Sequence, residues 1–129
     1  MAKRKNVQEQ NELTKIGIKA TASYWRLNEL PKYLREVIES KGIDMTTSIV
    51  LEYEHNYPGT FSDFGLLLTV EKRFISFDVD YDDHVALVVS WEDVSHEYKI
   101  SNNEKGFKKT YGYLACEVLE EMNSNNAYG

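Results

Sequence analysis

Four aspartates within six residues, Asp78, Asp80, Asp82 and Asp83, are the side chains of this sequence most suggestive of chemistry. They close the run Ile75-Ser76-Phe77-Asp78-Val79-Asp80-Tyr81-Asp82-Asp83, in which Ile75, Phe77, Val79 and Tyr81 alternate with Ser76, Asp78 and Asp80. A period of two is a strand, so Asp78 and Asp80 share one sheet face. Paired carboxylates there could hold a divalent cation and serve a small metal-dependent hydrolase. A calcium loop is not formed: Asp78, Asp80 and Asp82 fit its opening, but Asp83 stands where it requires glycine and Val89 where it requires glutamate. The same residues are accounted for by a solvated strand face whose charge resists edge-to-edge association. Such a face can also dock a basic protein.

A strand ending in Asp-x-Asp resembles the nucleophile motif of haloacid-dehalogenase-type phosphatases. That resemblance implies a parallel α/β sheet with further acidic and lysine motifs downstream, and the sequence has neither. His55, His84 and His96 have no partners at zinc-ligand spacing, and no nucleophile-elbow pattern surrounds a serine. The lone Cys116 follows Ala115 in an amphipathic helical pattern, where cysteine behaves as a small hydrophobe, and it has no internal disulfide partner. There is no Gly-x-Gly-x-x-Gly and no phosphate-loop Gly-Lys-Ser/Thr. The expectation is a protein with no catalytic residues, no metal ligands and no cofactor.

Charge is distributed unevenly. Residues 1–26 carry six bases against two acids, whereas residues 52–97 carry eleven acids against two bases. The second segment is expected to present a negative surface, which favours a basic protein partner and disfavours nucleic acid. Tyrosine is plentiful, at nine residues, and several aromatics sit beside acids. Tyr53 lies between Glu52 and Glu54, Tyr81 between Asp80 and Asp82, and Trp91 precedes Glu92 and Asp93. Aromatic anchors ringed by charge suit protein interfaces, because rings supply contact area while charge steers encounter. These eleven residues (Glu52, Tyr53, Glu54, Asp78, Asp80, Tyr81, Asp82, Asp83, Trp91, Glu92 and Asp93) form the expected partner-binding set.

The elements that would position them follow from periodicity. Residues 1–12 show no apolar period and are expected to form a mobile basic arm. Residues 13–123 form the single domain, and residues 124–129 a C-terminal tail. Leu13 to Trp25 gives a mixed signal: Ile16 and Ile18 alternate like a strand, yet Leu13, Ile16 and Ala20 fit a helical face. A helix is predicted from about Asn28 or Leu30 to Lys41, with Pro31 in its first turn and Gly42 at its stop. Strands are predicted at Thr47–His55, Gly65–Val70, Phe74–Tyr81 and His84–Trp91. In the first, Ile49, Leu51 and Tyr53 are expected to share a face; the last, nearly all apolar, is expected at the centre of the sheet. Glu97–Ile100 could add a fifth strand. A second helix is predicted from about Asn103 or Glu104 to Met122, with Ser124-Asn125-Asn126 ending it. The short connections favour antiparallel pairing, so the fold class is α+β: a meander of about four strands flanked by an N-terminal and a C-terminal helix.

At 129 residues, with 42% hydrophobic residues, the chain suits one domain with a real core. The longest apolar runs, Gly65–Leu68 and Val85–Val89, are far below the roughly 20 residues a membrane span needs. Asn6 to Gln10 follow the basic start in place of a signal peptide's apolar stretch. A cytoplasmic setting is expected, with no membrane association. In size, acidity, absence of catalytic motifs and helix-flanked sheet, residues 28–122 resemble the immunity proteins of bacterial polymorphic toxin systems, including contact-dependent inhibition systems. That resemblance implies an antitoxin-like inhibitor that binds one cognate toxin domain, such as a basic nuclease. Two other classes are open: the metal-dependent hydrolase using Asp78 and Asp80, and an acidic DNA-mimic inhibitor from a phage or mobile element. Nothing in the sequence fixes the oligomeric state.

Overall fold

A computed structural model of the chain describes residues 7–56, 62–82, 85–99 and 107–127. Helix α1 (Val7–Tyr24) is followed by a 3-10 turn (Leu27–Glu29), α2 (Lys32–Ser40) and the strands β1 (Ile49–Asn56), β2 (Ser62–Leu68), β3 (Phe74–Asp82) and β4 (Val85–Asp93). The short helix α3 (Ser95–Lys99) and the long helix α4 (Phe107–Ala127) complete it. All neighbouring strands pair antiparallel in the order β1-β2-β3-β4. The expected α+β meander flanked by helices is the observed fold.

Both sheet faces are covered by helices, and the sheet divides the core in two. On the first face Ile49, Leu51, Leu66, Leu68 and Phe74 pack against Ile18 and Ala22 of α1 and Leu114, Ala115, Val118 and Leu119 of α4. On the second face Val50, Leu67, Ile75, Phe77 and Val79 pack against Leu27, Leu30, Leu34 and Ile38 of the 3-10 turn and α2. Pro31 precedes α2, and Gly42 follows it at φ +76°, donating its N–H to the Glu39 carbonyl at 3.0 Å. The left-handed conformation there costs glycine little. Of the helix residues expected inside, Leu34, Ile38, Leu114, Val118 and Leu119 are buried and Val37 is half-buried.

Four expectations about the elements are corrected. Residues 7–12, expected in the arm, are the first turns of α1; residues 1–6 lie outside the described residues. Within α1 the sequence-visible face of Leu13, Ile16 and Ala20 is exposed, and Ile18 and Ala22 are the buried pair. Lys15 fastens α1 to α4 through Glu117 at 3.2 Å and Glu121 at 2.9 Å. The expected fifth strand is instead α3, because Asp93 Oδ1 accepts from the Ser95 N–H at 2.9 Å and from its hydroxyl, turning the chain. Ser124–Asn126, expected to stop the last helix, are within α4.

Two further corrections concern strands. Leu51 is an extra residue in β1: the register jumps between Val50 and Glu52. Strict alternation would put Tyr53 on the face of Ile49 and Leu51, but the bulge moves it to that of Val50. Gly65, paired with Tyr53, permits this, since a Cβ there would lie 2.1 Å from the Glu52 carbonyl oxygen. The apolar strand β4, expected at the centre, is an edge strand, and Val85, Leu87, Val88 and Val89 are 56%, 51%, 42% and 59% exposed.

Candidate functional site

Cross-strand partners share a face, so the registers fix which side chains meet. Three rows cross the first face from the margin of the helices' cover outward, with Leu66 and Ser62 buried within them. Glu52, Leu66, Ser76 and Glu92 form one, Glu54, Phe64, Asp78 and Ser90 the next, and Ser62, Asp80 and Leu87 the third. Leu66 is buried beneath the helices, but Glu52, Glu54 and Glu92 are exposed and Asp78 and Asp80 half-buried. Phe64 and Leu87, on the same surface, are 38% and 51% exposed. Among the described residues none of these five acids has a lysine or arginine within ion-pair distance. The result is an open half-face that is acidic with apolar islands. Phe64 and Glu54 also line a groove of ≈ 470 Å³ together with Glu52, Thr21 and Trp25.

The expected partner-binding set is thereby divided. Glu52, Glu54, Asp78, Asp80 and Glu92 converge on the first face. Tyr53, Tyr81 and Trp91 belong to the second face, where all three are half-buried in the core that α2 covers. Tyr53 meets Trp25 edge-on with ring centroids 4.8 Å apart, and Trp91 lies beneath the Lys41 ammonium, 5.6 Å from its ring centre. Asp93 is used locally: besides holding Ser95, it accepts from Arg73 Nε at 2.9 Å. The Ser95 and Arg73 donors bring its carboxyl down to about 2. Asp83 and the Asp82 side chain lie outside the described residues, as does His84.

Asp63 escapes a reading of the sequence. It is 0% exposed, on the second face beside Val79. Its Oδ1 accepts from the Tyr53 hydroxyl at 2.9 Å and lies 2.5 Å from His55 Nδ1; its Oδ2 accepts from the Tyr81 hydroxyl at 2.7 Å. A buried carboxylate is tolerable only when its lone pairs are occupied in this way. Burial, then the neighbouring Asp63, pushes both phenols well above the ordinary tyrosine value, so they remain donors through neutral pH. No single segment carries this cluster, because its donors come from β1 and β3 on either side of β2.

An imidazole on a carboxylate is half of a nucleophile-activating triad, which a thiol at the imidazole would complete. Cys116 packs in the α1–α4 core on the first face, with the sheet between it and His55. A thiol–imidazole pair is therefore not formed. Nor do three histidine, cysteine, aspartate or glutamate side chains converge as a metal site among the described residues. On α4, burial followed by the charge of Glu52 raises Tyr111 to about 12. Among the described residues no helix is long and apolar enough to cross a membrane. Comparison with protein-family models, with curated proteins and with solved structures finds no match.

Proposed function

We propose that the chain is a non-catalytic binding protein whose open acidic half-face docks a basic surface of another protein. The observation that carries this reading is the convergence of Glu54, Asp78 and Asp80 with exposed Phe64 and Leu87 on one surface that no helix covers among the described residues. Unneutralised carboxylates raise the encounter rate with a cationic partner, and the apolar side chains slow its departure once water is expelled. Asp63 and its donors support that surface from behind, through the same strands.

The kind of partner that suits this chemistry is a basic toxin domain, for instance a nuclease, whose cationic substrate-binding surface an acidic face would occlude. The chain then acts as an immunity protein in the cytoplasm of the cell that makes the toxin. Co-expression with the product of the adjacent reading frame tests the reading. Growth arrest by that product, relieved by this chain but not by an Asp78→Lys/Asp80→Lys variant that folds normally, is the expected result. Relief by the variant as strong as by the parent would refute the acidic face. Tight Mg²⁺ or Mn²⁺ binding that Asp78→Asn abolishes would replace this reading with the metal-dependent hydrolase. Competition with DNA for a nucleic-acid-binding protein would favour a DNA mimic.

A further inference from the structure

We infer that the outer edge of β4 takes up an extended segment of a basic partner by strand addition, with lysine or arginine on one side of that segment and aliphatic residues on the other. The inference rests on the acidic-face reading and adds the mode of docking. Among the described residues neither outer edge of the sheet, that of β1 or that of β4, pairs with another strand. The two differ in side chains: β1 carries Glu52, Glu54 and His55, whereas most of β4 is an exposed apolar run. Natural sheets protect such edges with charge, proline or short length. Over Val85–Val89 this edge carries neither charge nor proline: it belongs to a nine-residue strand, irregular only at the bulged Val89, and exposes four apolar side chains.

The backbone narrows the class of occupant, since a row of outward N–H and C=O groups is satisfied along its length only by another extended chain. Side chains narrow it further. On the first face the positions nearest the edge are Leu87 and Ser90, and directly behind them stand Asp80 and Asp78, with Glu92 along the strand. A lysine on the incoming strand would lay its aliphatic stem across Leu87 and carry its ammonium toward these carboxylates. On the second face Ala86, Val88 and Trp91 line the edge, and aliphatic side chains match them. A second copy of this chain is the poorer match. Neither β3 nor β4 contains a lysine or arginine, so pairing β4 with its own copy would bring acids toward acids.

The test is an NMR titration of the full chain at low salt with the blocked peptide acetyl-Lys-Val-Lys-Val-Lys-Val-Lys-amide. Saturable shifts of the Val85–Ser90 amides are expected. Binding should weaken about tenfold or more when glutamate replaces lysine, and again when the valine amides are N-methylated. The exposed-site variant Leu87→Lys should likewise repel the peptide. Equal affinity for the N-methylated peptide, shifts confined to Phe64 and Asp78, or no binding would each overturn strand addition while leaving the acidic face standing. Unaltered binding by Asp78→Asn/Asp80→Asn, with shifts still on β4, would instead remove the acidic-face reading and the basic character assigned to the segment. A dimer in solution that Leu87→Lys converts to monomer would identify the occupant as a second copy and refute the inference.

Discussion

Asp63 and the pair Asp78 and Asp80 lie on adjacent strands, within one residue of each other in register, yet the sheet treats them in opposite ways. Asp63 points to the second face, is fully buried and has three donors, from Tyr53, Tyr81 and His55. Asp78 and Asp80 flank its cross-strand partner Val79 and point to the first face, where among the described residues no cation answers them. One thickness of backbone separates a carboxylate committed to the fold from two that no lysine or arginine neutralises among the described residues. Residue type does not decide between these roles; the parity of position along the strand does.

The sharpest way to break that comparison is alanine at each site. Asp63→Ala strands two half-buried hydroxyls and opens a void beside Val79, so a loss of about 3–5 kcal/mol is expected in urea unfolding. Gly65→Ala comes next. Its Cβ would press on the Glu52 carbonyl and push β1, with Tyr53, away from Asp63, costing about 2–3 kcal/mol. Tyr81→Phe removes one donor and leaves Asp63 Oδ2 short of it, for about 1–2 kcal/mol by the same measurement. By contrast Asp78→Asn/Asp80→Asn should move the unfolding midpoint by no more than about 0.5 kcal/mol in either direction, because among the described residues no ion pair depends on the charges. A loss as large as that of Tyr81→Phe would show that the first face also serves stability.

The smallest effect concerns Asp93, exposed but held by Ser95 and Arg73. Its folded value of about 2 lies below the unfolded 3.8, so its contribution is present above pH 4 and is lost as the pH falls through 2. Solvent screening keeps that contribution small. The urea midpoint of Asp93→Asn should therefore fall less steeply than the parent's between pH 4 and pH 2.

What could be read from the sequence was what depends on near neighbours along the chain. Pro31, the three-and-four spacing of Leu34, Val37 and Ile38, and Gly42 marked α2; the stripe through Leu114, Val118 and Leu119 marked α4; the alternation of Ile75 to Tyr81 marked β3. Each of these buries its patterned face. Helix α1 was obscure because its apparent apolar face, Leu13 and Ile16, is turned to solvent. Tyr53 was assigned to the wrong face because one bulged residue reverses the parity of everything after it. In β4 a continuous apolar run has the same pattern whether the strand is enclosed by neighbours or left at the rim. The acids of the candidate site were legible through composition, but Phe64 and Leu87 were not. Their place beside Asp78 and Asp80 is a matter of register.

The unequal cover of the first face gives the sheet a thick end and a thin end. At Ile49, Leu68 and Phe74 three layers enclose the strands; at Glu54, Phe64 and Asp80 no helix among the described residues covers one side. Amide exchange with solvent should follow that gradient, because local opening needs less free energy where fewer apolar contacts must be given up. Asp63, joined to β1 by Tyr53 and His55 and to β3 by Tyr81, acts as a clasp across three strands at this thin end. Without it, the rim that carries the acids would fray while the rest of the sheet stayed closed.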